Sequence, residues 1–117
     1  MEQKQWARAE PLLRECLTIR AKKAPDDWLT FGSQSQLGGA LLGQKKYAEA
    51  QPLLLAGYEG MKERHAEIPP QAKARLPEAV ERLVQLYEEL GQKDEVAKWQ
   101  KELAAIKSPQ KRPEKKP

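Results

Sequence analysis

The chain has 117 residues, enough for a single domain with a modest core. Its apolar share of 39% is low and its charged share of 32% is high, a combination typical of narrow amphipathic helices and unlike a thick layered fold. Strand-forming patterns are scarce, so the composition predicts an all-α protein and argues against a sheet. The net charge is +4.

The first predicted helix spans residues 4–22 and contains the only cysteine, Cys16. A lone cysteine excludes an intrachain disulfide and fits a reducing compartment. No apolar run approaches the roughly 18 residues of a membrane span, and the N-terminus lacks the apolar core of a signal peptide. We therefore predict a cytoplasmic location and no membrane contact.

An internal repeat links the first helix to the third. Residues 6–13 (WARAEPLL) recur as residues 47–54 (YAEAQPLL), 41 positions later, with five of the eight residues identical. The second helix is predicted over 27–43, with Asp26 or Asp27 as its N-cap, and the third over 46–64. Repetition at this period indicates stacked helical units.

Two further helices are predicted after an irregular connection at 68–73. Residues 75–90 carry an apolar stripe at alternating spacings of four and three, and Gly91 ends this helix. Residues 94–106 repeat the same spacing. A decayed third copy of the repeat opens at 93–96, so these two helices form the last pair.

The charge is concentrated in residues 107–117, which carry five bases against one acid. Subtraction from the totals of 21 and 17 leaves 16 bases and 16 acids in residues 1–106. A folded nucleic-acid surface needs basic side chains massed on one face, and a neutral body does not favour one. We expect residues 107–117 to be a basic disordered tail, and nucleic-acid binding is ranked low.

The small residues of the helix pairs resemble the tetratricopeptide repeat. In that family the first helix of a pair carries a large residue followed by a small one. A second small residue lies twelve positions after the first, in the second helix, and a third lies seven positions after the second. The two helices cross closely at these small residues. The sequence has Leu37-Gly38, Ala50 and Gly57 at this spacing, and Ala9 and Cys16 match the preceding half-repeat. In the last pair all three contact positions are larger: Val84, Val96 and Leu103.

The resemblance implies a right-handed antiparallel helix-pair solenoid of about five helices and two and a half repeats over residues 1–106. The long period is similar to the kinesin-light-chain-like variety, as in the C-terminal arrays of bacterial serine/threonine-kinase-linked repeat proteins. Because residues 4–22 match the second helix of a pair, Trp6, Leu12, Leu13 and Leu17 are expected to lack one neighbour. Solenoid ends normally carry a polar cap, so we expect a fragment that tends to self-associate.

The resemblance also implies where a partner binds, because the first helix of each pair lines a concave groove in this family. It assigns to the groove Gly32, Ser35, Gln36, Gly39 and Leu42 on the second helix, and Glu78, Glu81, Arg82, Gln85, Glu88 and Glu89 on the fourth. Three of these glutamates share one face, which suits a Lys/Arg-containing peptide. A charge run is also typical of a plain solvated face, and the chain's own tail is a second candidate ligand.

No catalytic chemistry is evident in the sequence. His65 has no cysteine partner, and a metal site needs three or four convergent ligands. Gly38-Gly39 does not follow a strand, so close helix packing explains it better than a phosphate cradle. We therefore predict a protein- or peptide-binding scaffold without enzymatic activity, cofactor, metal or small-molecule substrate. The alternative is a structural or self-associating end segment of a longer array.

Overall fold

A computed structural model describes residues 3–107, and in this range the chain forms five α-helices and no strand. The helices are α1 (Gln3–Lys23), α2 (Trp28–Gly43), α3 (Tyr47–Glu63), α4 (Arg75–Leu90) and α5 (Lys93–Lys107). Two 3-10 turns, His65–Glu67 and Pro70–Ala72, lie in the connection between α3 and α4. The prediction of an all-α helical-repeat fold is confirmed.

The helix ends follow from local hydrogen bonding. Asp27 accepts a hydrogen bond from the Leu29 amide at 3.0 Å, so α2 begins at Trp28 and Asp27, rather than Asp26, is its N-cap. Gly91 ends α4 in the left-handed region at φ 74°, which glycine adopts without a side-chain clash. The sequence predicts the basic tail from residue 107, but Lys107 is the last residue of α5, and residues 108–117 lie outside the described range.

Each helix packs mainly on its neighbours in the chain, and α2 also contacts α4. The core runs through α2, α3, α4 and α5, with Leu41, Leu54, Leu83 and Leu86 fully buried. The apolar stripe of α4 puts Val80, Leu83 and Tyr87 into this core, and Leu76 and Leu90 pack on its edge. The 3.6-residue period therefore decides which face of α4 is covered.

Two glycines let α2 and α3 cross closely. A Cβ atom on Gly57 would lie 2.7 Å from the Ser35 amide nitrogen and 2.8 Å from the Phe31 carbonyl oxygen. A Cβ on Gly38 would lie 2.7 Å from Leu54 Cγ. These are the small positions on which the family resemblance depends, and the structure gives their physical reason: the two backbones touch there.

α1 packs on α2 along one side only. Trp6 lies against Gly43, where a Cβ would come within 2.1 Å of the indole, and Gln44 donates to Glu10 at 2.8 Å. Leu13 and Leu17 are half-buried against the core, because they lie on the side of α1 that faces α2. Of the four residues expected to lack one neighbour, Trp6, Leu13 and Leu17 pack against α2 or the core, and only Leu12 is largely exposed, at 69%.

Candidate protein-interaction surface

The surface predicted as a groove lies where α2 and α4 pack side by side. Arg82 of α4 reaches across to α2 and its Nη1 donates to Ser35 Oγ at 3.0 Å. A Cβ on Gly39 would lie 2.9 Å from Arg82 Nε, so the glycine leaves the space that the guanidinium fills. Burial is the main cause that lowers the pKa of Arg82, although nearby Glu78 opposes it. Arginine remains charged even so, and it fixes α4 against α2.

The predicted groove residues of α2 are mostly covered. Gly32, Ser35, Gly39 and Leu42 are buried, and Gln36 alone is partly accessible. Met61 from α3 lies near Gly32, Arg82 covers Ser35 and Gly39, and Leu42 belongs to the core. The structure therefore brings these residues to the α2–α4 boundary but leaves little of them for a ligand to touch.

The predicted groove residues of α4 divide into two groups. Arg82 is partly buried, whereas five side chains are exposed: Glu78, Glu81, Gln85, Glu88 and Glu89. Glu89 accepts hydrogen bonds from the Tyr47 hydroxyl and from Gln85 Nε2 at 3.4 Å, and the first of these raises the pKa of Tyr47. We call Glu78, Glu81, Gln85 and Glu88 the acidic stripe of α4.

Sequence reasoning missed how the arginines of α4 are used. The Arg75 guanidinium lies 6.0 Å from the centre of the Trp28 ring, and Arg82 contacts Ser35. These two arginines are seven residues apart, so they lie on the same side of α4, and both contact α2. The spacing in the sequence indicates only that they share a side, not that this side meets α2. The consequence is that the cations of α4 lie against α2 while its carboxylates remain outside.

The acidic stripe can attract cations but has no means to do covalent chemistry. Its carboxylates accept hydrogen bonds and pair with lysine or arginine, and each exposed pair contributes only about 0.2–1 kcal/mol. Recognition here would therefore depend on several weak contacts along the helix. Among residues 3–107 no cluster of three or more His, Cys, Asp or Glu side chains could hold a metal ion.

A second concavity, of about 510 Å³, lies between α3 and α5. Tyr58 is buried and its hydroxyl donates to Glu102, which also accepts from Lys62 Nζ at 2.9 Å. The Trp99 ring packs edge-on against Tyr58 with centroids 5.5 Å apart, and Lys98 lies over Trp99. The sequence did not predict this cluster, because its members are spread over two helices that are not consecutive in the chain.

This cluster should make stability depend on pH. The hydrogen bond from Tyr58, and then the one from Lys62, lower the pKa of Glu102 below its ordinary value. A carboxyl with a lowered folded pKa stabilises the fold above its unfolded pKa of about 4.3, and this contribution is lost as the pH falls through the folded pKa. We expect Glu102→Gln to cost about 1 kcal/mol at pH 7 and less at about pH 3.

Urea unfolding at both pH values measures this difference. Glu88→Gln is the matched control, since Glu88 is exposed and its side chain makes no hydrogen bond or ion pair within the described part of the chain. It should change stability by less than about 0.5 kcal/mol at either pH. An equal loss for Glu102→Gln at pH 7 and pH 3 would show that the carboxylate's charge contributes nothing.

No helix among the described residues is both long and apolar enough to cross a membrane. Residues 1–27 match the sequence pattern of the family described as "Tetratricopeptide repeat". No curated protein and no solved structure matches the chain. The matched segment comprises α1 and the turn before α2, so the match supports a tetratricopeptide-repeat family through the half-repeat at the start of the chain.

Proposed function

We propose that the chain is a protein- or peptide-binding scaffold whose acidic stripe on α4 binds a Lys/Arg-containing segment. One observation carries this proposal: both arginines of α4 are engaged with α2, and the glutamates on the outer face remain exposed. Like charges at neighbouring helical positions destabilise a helix by a few tenths of a kcal/mol each. A basic partner would relieve that repulsion.

The fold supports the same class of function. The tetratricopeptide repeat is a non-catalytic scaffold for protein contacts, and this supports the prediction that the chain is not an enzyme. The site itself is argued from charge and exposure in this chain, because a fold alone does not give a function. The kinesin-light-chain-like variety and a cytoplasmic location remain part of the proposal.

Charge reversal on the stripe tests the proposal. Glu81→Lys/Glu88→Lys should weaken the binding of a ten-residue Lys/Arg-rich peptide roughly tenfold, because it removes two attractions and adds two repulsions of about 0.2–1 kcal/mol each. Fluorescence anisotropy at about 0.15 M salt, where the Debye length is about 8 Å, measures the affinity of the full chain for a labelled peptide. A peptide of the same length with glutamate at every basic position should not bind.

The control is Glu59→Lys/Glu63→Lys, which makes the same change of net charge on the exposed face of α3. It should leave the affinity within about twofold, because a long-range charge effect is largely screened beyond a Debye length. Equal weakening by both pairs would mean that only the net charge matters. The proposed stripe would then be wrong.

The chain's own basic tail is the nearest candidate ligand. The ten residues that follow α5, 108–117, would reach about 35 Å if extended, enough to return to α4 or to reach a second molecule. Removing residues 108–117 should then strengthen the binding of the added basic peptide, since all five helices lie before that point. An unchanged affinity at low salt would exclude the tail as the resident ligand.

A second candidate function is a self-associating segment of a repeat array. The observation in its favour is the outer face of α1, where Leu12 is 69% and Ile19 is 48% exposed. This candidate predicts that the chain forms oligomers without any added ligand.

A further inference from the structure

The outer face of α1 is the main apolar surface without a partner among residues 3–107. Leu12 and Ile19 are the two exposed large hydrophobic side chains, and they are seven residues apart on one side of the helix. α1 packs on α2 along its opposite side. A helix-sized surface is therefore open along the length of α1.

The internal repeat indicates that this face has the pattern of a helix-docking surface. The offset of 41 residues pairs Ala9, Leu12, Cys16 and Ile19 with Ala50, Leu53, Gly57 and Gly60. In α3, Gly57 and Gly60 pack against Ser35 and Phe31 of α2. On α1, Cys16 lies at the border of this face, where its thiol is within hydrogen-bond reach of Ser33 of α2, whereas the two large side chains, Leu12 and Ile19, project outward.

Charged residues flank the apolar pair in a regular way. Positions 5, 8, 12, 15, 19 and 22 alternate in steps of three and four, so they form one row along the helix, the α1 seam, in which Leu12 and Ile19 are the apolar members. Arg8 and Glu15 lie on either side of Leu12 in this seam and both are exposed. Neither forms a hydrogen bond or an ion pair with another described residue.

This charge pattern selects one way of pairing two copies. Parallel helices would place Arg8 against Arg8 and Glu15 against Glu15, which is unfavourable. An antiparallel pair with Leu12 facing Ile19 would bring the two Glu15 side chains together at the symmetry axis. An antiparallel pair centred on Leu12 instead places Arg8 of each copy opposite Glu15 of the other, so both charges are matched.

We propose that α1 binds α1 of a second copy of this chain, antiparallel and with Leu12 at the twofold axis. In such an isologous contact every favourable pair occurs twice. The contact of two single helices is small beside the roughly 1,200–2,000 Å² of stable interfaces, so the dimer is weak and forms at protein concentrations of hundreds of micromolar. This inference rests on the second candidate function and is independent of the acidic stripe.

Charge exchange tests the register in the full chain. Arg8→Glu alone and Glu15→Arg alone should each raise the dimer dissociation constant about fivefold or more in sedimentation equilibrium. The double variant Arg8→Glu/Glu15→Arg restores both opposite pairs and should return within about twofold of the original. Lys101→Glu on α5 is the control for net charge, since Lys101 is exposed and far from the seam in sequence; it should have little effect.

Disulfide trapping tests the position of the axis. In a Cys16→Ser background, Leu12→Cys should form a linked dimer under mild oxidation, because the two side chains meet at the axis. Ile19→Cys, on the same exposed face, should not, since it lies opposite Gln5 of the second copy. Circular dichroism checks that each variant keeps its helix content.

The outcomes separate the two levels of the proposal. A strict monomer at about 1 mM would overturn both the pairing and the second candidate function. A dimer in which the charge exchange fails to restore affinity, or in which Ile19→Cys is trapped and Leu12→Cys is not, would overturn this register alone. Recovery in the double variant together with selective trapping of Leu12→Cys supports it.

Discussion

Replacing Gly57 by alanine is expected to reduce the free energy of unfolding by about 3 kcal/mol. The new Cβ would meet the Ser35 amide nitrogen at 2.7 Å and the Phe31 carbonyl oxygen at 2.8 Å. Both atoms belong to the backbone of α2 and cannot rotate away, so the two helices must separate. The gain in helix propensity, about 1 kcal/mol, is too small to offset that. Urea unfolding followed by circular dichroism measures the loss.

Gly32→Ala is the matched control for this prediction. Gly32 is also a buried helical glycine, but a Cβ there would lie 3.6 Å from Met61 Sδ, an ordinary contact distance. The substitution should leave stability unchanged or raise it by up to about 1 kcal/mol. Equal destabilisation by the two alanines would show that the close approach of α2 and α3 at Gly57 is not the cause of the stability loss.

Replacing Tyr58 by alanine should have a comparably large effect, about 3–5 kcal/mol. The side chain is 1% exposed, packs edge-on against Trp99 and donates its hydroxyl to Glu102. Alanine removes the ring that joins α3 to α5 and leaves a cavity. Chemical denaturation measures the loss, and the near-ultraviolet signal of Trp99 should change with it.

Tyr58→Phe separates the ring from the hydroxyl. It keeps the packing and removes one hydrogen bond to a charged acceptor, so about 1–2 kcal/mol should be lost. It should also reduce the pH dependence attributed to Glu102. A phenylalanine variant as unstable as the alanine variant would mean that the ring contributes little, contrary to the burial of Tyr58.

The fold could be predicted because it depends on local patterns. The apolar period placed α4, and Gly91 marked its end. The spacing of Gly38, Ala50 and Gly57 indicated a close helix crossing, and the structure confirms that Gly38 and Gly57 have no room for a Cβ. Each of these signals lies within one helix or one pair of consecutive helices. There the helical period determines which residues share a face.

The candidate site was harder to predict because it depends on which side chains reach across between helices. Family resemblance placed Ser35 and Gly39 on an open groove, but the length of the arginine side chain lets Arg82 cover both. The contact between Arg75 and Trp28 escaped notice for the same reason. A seven-residue spacing shows that two arginines share a side of α4, but it does not show what that side meets.

The cluster of Tyr58, Trp99 and Glu102 shows a further limit. Tyr58 is more than forty positions from both Trp99 and Glu102, and nothing within α3 or α5 alone indicates that they meet. Their contact follows from how α4 sets the separation of the helices on either side of it. Sequence periodicity identifies the buried face of each helix but not the partner residue across such a gap.

The most direct test of the proposed function is to map where a basic peptide binds. Backbone amide shifts of the isotopically labelled full chain, recorded at low salt during titration with the Lys/Arg-rich peptide, should change mainly at Glu78, Glu81, Gln85 and Glu88. The Glu81→Lys/Glu88→Lys variant should lose these changes at the same peptide concentration. Shifts confined to the cluster around Tyr58 and Trp99, or no shifts at about 1 mM peptide, would contradict the assignment of the acidic stripe as the binding surface.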